Sequence, residues 1–117
     1  MSTYFDTSVV TALFTEDPHA ERADQFMAQA VPTALVSDLA AAEFAAVVAR
    51  LERMRVLTRA RARDAFDRFD TWLRGAANRV TIAAADVTAA ERQLRTMTLT
   101  LRAADAIHIA AARRMEA

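Results

Sequence analysis

Three short runs rich in β-branched and aromatic residues punctuate the chain: Thr3-Tyr4-Phe5, Thr33-Ala34-Leu35-Val36 and Val80-Thr81-Ile82. Between them, apolar residues recur at helical spacing. Strand, helix, strand is the spacing of a crossover unit, the connection that parallel strands require. The expected fold is therefore α/β, a short parallel sheet flanked by helices. Open sheets of this kind place ligand sites beyond the carboxyl ends of their strands. The first run delivers Asp6 to such an end, with Thr7 and Ser8 after it. An acid there is placed for chemistry and also for capping the helix that follows.

The helices follow from the same pattern. Val9 to Phe14 is short, and Glu16-Asp17-Pro18 interrupts it; Pro18 then suits the first turn of a helix from His19 to about Ala30. From Ser37 to about Arg55, the residues Phe44, Val47, Val48, Leu51 and Met54 form one stripe. Thr58 opens another helix to about Arg74, with Ala62, Ala65, Phe66, Phe69, Trp72 and Leu73 inward, an Asp64–Arg68 pair outward, and Gly75 unwinding its end. These two helices make a hairpin with arginines near its tip. Asp86 is expected to cap a helix carrying Val87, Ala90, Leu94 and Met97.

The last segment, Leu101 to Ala112, reads as a helix apolar nearly all round, and such a helix belongs in the interior. Asp105 is its one acid. A carboxylate there must be paired, hydrogen-bonded, protonated or bound to a metal, and Arg102 one turn away is the ready partner. His108 reads as a packed core residue and His19 as a surface one.

Composition removes whole classes of function. The chain has 117 residues, the length of one domain, and a single glycine, Gly75. A glycine-rich dinucleotide fingerprint and a Walker-type phosphate loop are therefore excluded. Without cysteine there is no disulfide and no thiolate zinc site. No apolar run reaches the roughly 20 residues of a membrane span, and early acids argue against a signal peptide, so a cytoplasmic location is expected.

Net charge is zero but unevenly laid out. Residues 1–49 hold seven acids against Arg22 alone, whereas residues 50–79 hold nine arginines against four acids. The guanidinium fork suits phosphate, so Arg50, Arg53, Arg59 and Arg63 are candidate contacts to a nucleic-acid backbone. The same residues also make an ordinary solvated helix face.

Glu43 lies near the amino end of its helix, which follows the second strand, and so close to the same sheet end as Asp6. Its ordinary role there would be to offset the helix macrodipole. If Asp6, Glu43 and Asp105 converge, each pair repels by about 4 kcal/mol at 4 Å in an effective dielectric near 20, so they share protons or hold a cation. An all-oxygen donor set favours Mg²⁺ or Mn²⁺ over zinc. Such an ion activates water and neutralises phosphate oxygens, the equipment of a phosphodiesterase.

The chain resembles a PIN domain, and within that group a VapC-type toxin ribonuclease of a type II toxin–antitoxin pair. The resemblance rests on Phe5-Asp6-Thr7-Ser8, on Ser37-Asp38-Leu39-Ala40-Ala41-Ala42-Glu43, and on Leu101-Arg102-Ala103-Ala104-Asp105-Ala106-Ile107-His108, in that order and spacing. It implies a Rossmann-like three-layer α/β/α fold and Mg²⁺- or Mn²⁺-dependent endonuclease cleavage of RNA, leaving a 5′-phosphate and a 3′-hydroxyl. Further implications are a VapB-type antitoxin partner, a homodimer, and transfer RNA among the substrates to consider. Asp6, Glu43 and Asp105 fall on the family's metal-binding acids, and Ser8 on a supporting hydroxyl position.

The family pattern continues past this last helix into a fourth strand ending in a further acid, then a short fifth element. On that pattern residues 1–117 are expected to form a single PIN-like domain lacking the last one or two strands. An incomplete sequence, a naturally short copy and an edge completed by a second subunit each account for this. The alternative function is a catalytically impaired PIN-like module that acts by binding an antitoxin-like partner or RNA.

Overall fold

The first strand stops where Asp6 turns the chain into a helix. In the computed structural model, which describes residues 2–15, 33–96 and 100–116, β1 spans Ser2–Phe5 and α1 spans Thr7–Phe14. Asp6, with extended backbone, is the N-cap of α1, and its side chain accepts from the Val9 N–H. The helix anticipated over His19–Ala30 lies outside the described residues.

β2 spans Thr33–Ser37 and α2 spans Asp38–Arg53. Ser37 caps α2: its Oγ accepts from the Ala40 N–H at 2.9 Å. α3 spans Arg59–Ala76, capped by Thr58, whose Oγ1 accepts from the Arg61 N–H at 3.1 Å. β3, Ala77–Val80, follows without a loop. The three strands are parallel in the order β1-β2-β3, with Phe5 beside Val36 and Val36 beside Arg79. The expected α/β fold with a parallel sheet is the one observed.

Two boundaries differ from the sequence expectation. Gly75 does not unwind α3, which runs through it to Ala76. The third strand spans Ala77–Val80, so of the expected Val80-Thr81-Ile82 only Val80 lies in it. Pairing with β2 recruits Ala77, Asn78 and Arg79, residues with little strand preference of their own, because ladder bonds outweigh local propensity.

The α2–α3 turn is a Schellman motif. The Val56 N–H donates to Leu51 O at 2.9 Å and the Arg55 N–H to Glu52 O at 3.0 Å. Arg55 stands in the left-handed region, φ 60°, where glycine is the usual occupant.

The chain divides into two compact units, Met1–Val80 and Thr81–Ala117. The first has an aromatic centre. Phe14 lies 5.4 Å from Trp72, 5.7 Å from Phe69 and 6.1 Å from Phe44 between ring centroids, and Phe44 lies 4.8 Å from Phe69. Val10, Val36 and Val48 are fully buried around them. Arg68 makes the anticipated pair with Asp64 at 3.0 Å and also donates from Nη2 to Phe14 O at 3.0 Å, satisfying a carbonyl at the end of α1.

The second unit holds α4, Ala84–Thr96, and α5, Ala103–Glu116. Asp86 is not the N-cap of α4 but sits in its first turn, and its Oδ2 accepts from the Ala83 N–H at 2.8 Å. That is the reaching-back half of a capping box. The helix α5 is not buried all round. Ala106, His108 and Ala111 are buried, whereas Asp105, Ile109 and Arg113 are exposed. Alanine is apolar but short, so an alanine-rich helix shows no strong stripe in sequence although it buries only one face. His108 is buried, as expected. Among the described residues no helix is long and apolar enough to cross a membrane.

Candidate active site

Two helices begin at one end of the sheet. Phe5 and Val36 are register partners, so Asp6, just past β1, and Ser37, the last residue of β2, which cap α1 and α2, stand at the carboxyl end of the sheet. The amino ends of both helices, each carrying partial positive charge, meet the same rim.

Asp6 is exposed and uses one oxygen for structure. Its Oδ1 accepts from the Val9 N–H at 3.2 Å and from Ser8 Oγ at 2.7 Å. Its Oδ2 has no partner among the described residues. Capping and ligand binding are therefore compatible in one side chain: one oxygen closes the helix and the other faces solvent.

Glu43 lies in the second turn of α2, between exposed Ala42 and Phe44, which is buried in the aromatic centre. Phe44 fixes the helix face and leaves Glu43 half-buried at its margin. Glu43 Oε1 accepts from Thr7 Oγ1 at 2.8 Å, a bond across 36 residues of sequence. Two neighbouring hydroxyls thus serve two different acids, Ser8 on Asp6 and Thr7 on Glu43. Sequence reasoning picked out Ser8 but not Thr7. The available signal was a second hydroxyl in the first turn of α1.

Asp105 belongs to the second unit, in the first turn of α5. Its exposure removes the expectation that it is a buried charge in need of compensation. Nor does it pair with Arg102: among the described residues it makes no ion pair. Within each unit, no group of three or more His, Cys, Asp or Glu able to hold a metal ion forms among the described residues.

The donors present are nonetheless right for a hard divalent cation. They are carboxylate and hydroxyl oxygens only, one Asp6 oxygen is uncommitted among the described residues, and the chain has no thiol to favour a softer ion.

The arginines proposed for RNA stand apart from Glu43. Arg50 and Arg53 lie in the last turn of α2, and Arg59 and Arg63 in the first turns of α3, all exposed. Ten helical residues separate Glu43 from Arg53, which at 1.5 Å per residue is about 15 Å.

The PIN domain pattern matches residues 3–117. The chain belongs to the PIN domain family. A crystal structure of *Mycobacterium tuberculosis* VapC20, described as a toxin that cleaves the sarcin-ricin loop, superposes on this PIN domain with a TM-score of 0.76. The match covers 97% of this chain and 82% of that one, at 20% sequence identity, and so bears on the fold. No curated protein matches the sequence.

Proposed function

We propose that this PIN domain is the toxin of a VapC-type toxin–antitoxin pair, an endoribonuclease dependent on Mg²⁺ or Mn²⁺. The observation that carries the reading is the bond from Thr7, the residue after Asp6, to Glu43 at the carboxyl end of a parallel sheet, with one Asp6 oxygen uncommitted among the described residues. Asp6 and Glu43, with Asp105 from the second unit, would supply the carboxylates for the ion. A bound divalent ion would supply positive charge for the phosphate oxygens and a water of lowered pKa.

The reaction is hydrolysis. A water oxygen bonds to phosphorus, the bond from phosphorus to O3′ breaks, and the proton ends on O3′, giving a 5′-phosphate and a 3′-hydroxyl. Within the chain, Thr7 donates to Glu43 and Ser8 to Asp6. The arginines of the α2–α3 tip, with Arg53 about 15 Å from Glu43 along the helix, would grip backbone away from the cleaved bond. A VapB-type antitoxin as inhibitor and a homodimer complete the proposal. Because VapC20 is described as cleaving the sarcin-ricin loop, ribosomal RNA containing that loop is the first substrate to try, and transfer RNA the second.

The test is RNA cleavage in Mg²⁺ against cleavage in EDTA, with Asp6→Asn alongside. The proposal expects cleavage only by the native chain with metal. Equal cleavage by both proteins would remove the enzyme reading and favour a binding module.

A further inference from the structure

Thr7 follows the strand acid directly, yet its hydroxyl turns away from Asp6 to a carboxylate 36 residues along the chain. We propose that Thr7 is the positioning residue for Glu43, presetting one of the two first-unit carboxylates for a divalent ion; this rests on the metal-dependent reading above.

A glutamate on the margin of a helix sweeps its carboxylate through several rotamers, and ordering it on ion binding costs entropy. The Thr7–Glu43 bond, at 2.8 Å, settles the position of Oε1 beforehand. Thr7 suits the task because its hydroxyl is one bond from Cβ and so follows the backbone closely. Its backbone is held too, since α1 buries Val10 and Phe14 in the same core as Phe44 and Val48 of α2. Both ends of the bond therefore sit on elements locked to each other. Thr7 and Glu43 are both half-buried, so bulk water competes less with this bond than with the exposed one from Ser8 to Asp6.

Partners that orient a metal ligand typically change metal affinity by about 10- to 100-fold when removed. A valine at this position keeps the shape and removes the donor, and a serine restores the donor. The experiment is Mn²⁺ titration followed by electron paramagnetic resonance, on the native chain and on Thr7→Val, Thr7→Ser and Asp6→Asn. Melting temperatures are recorded for each.

Thr7→Val should bind Mn²⁺ about tenfold more weakly with little change in melting temperature, and Thr7→Ser should stay within about twofold of native. Native-like affinity in Thr7→Val, with Asp6→Asn weakened, would overturn the role of Thr7 alone. Equal weakening in Thr7→Ser and Thr7→Val would also overturn it, because the hydroxyl would then not be the operative feature. A native chain that binds no Mn²⁺, or an Asp6→Asn chain that binds as well as native, overturns the metal reading and the inference with it. If Thr7→Val melts far below native, Thr7→Ala, compatible with a first helical turn, takes its place in the same comparison.

Discussion

Arg114 closes a fork on Asp86: Nε donates to Oδ1 at 2.8 Å and Nη2 to Oδ2 at 2.9 Å, joining the end of α5 to the start of α4 across 28 residues. The same Nη2 donates to Thr81 O at 3.0 Å. Asp86 is only 2% exposed, so its charge is held by a bidentate, charge-assisted pair rather than by water.

The Arg114 guanidinium, hydrogen-bonded to the carboxylate, holds the Asp86 pKa below its ordinary value, with the Ala83 N–H helping and burial opposing. A depressed folded pKa stabilises the protein above the unfolded value, about 3.9, and that contribution is lost as pH falls through the lower folded value. Asp86→Asn should therefore melt below native at pH 6, by roughly 8 °C for a loss of about 2 kcal/mol. The gap should shrink below pH 4. A gap independent of pH would show that the ion pair contributes through shape alone.

Gly75 and Arg55 each stand where the other's residue type would fit better. Gly75 is inside α3, and an added Cβ there meets nothing within 4 Å. Gly75→Ala should stabilise by about 0.5–1 kcal/mol, chiefly by restricting the unfolded chain. Arg55 occupies a left-handed position with φ 60°, so Arg55→Gly should be neutral to stabilising by about 1 kcal/mol despite the freedom it adds to the unfolded chain. Urea denaturation midpoints measure both.

Phe44 ties the candidate site to the core, since it is fully buried and precedes no loop that could relax around a void. Phe44→Ala should cost about 3–5 kcal/mol. Phe44→Leu should cost less and keep any Mn²⁺ affinity, because α2 would hold its place. Calorimetry on both variants decides.

For the arginine tip, RNA binding should weaken steeply as salt rises, and replacing Arg50, Arg53, Arg59 and Arg63 with glutamine should flatten that dependence. Each phosphate contact removed should lower the slope of log affinity against log salt by about 0.7 for single-stranded RNA. An unchanged slope would return these arginines to the role of a solvated face.

What the sequence made legible was local. Polar caps at Ser37 and Thr58, the aromatic and aliphatic stripes of α2 and α3, and the turn from β1 into Asp6 all involve residues a few positions apart. The start of β3 was misplaced because pairing partners on β2, not its own residues, select Ala77 to Arg79. Asp105 was read as buried because alanine counts as apolar without marking a face. The Thr7–Glu43 and Asp86–Arg114 bonds join residues far apart in the chain, and no spacing rule reaches that far.

The proposed ribonuclease requires that Asp6, Glu43 and Asp105 serve one ion. Paramagnetic broadening of the amide spectrum by bound Mn²⁺ tests it most directly, because the effect falls off steeply with distance from the metal. Substoichiometric Mn²⁺ should erase the signals of Asp6, Glu43 and Asp105 together. Loss at Asp6 and Glu43 with the Asp105 signal left sharp would contradict it.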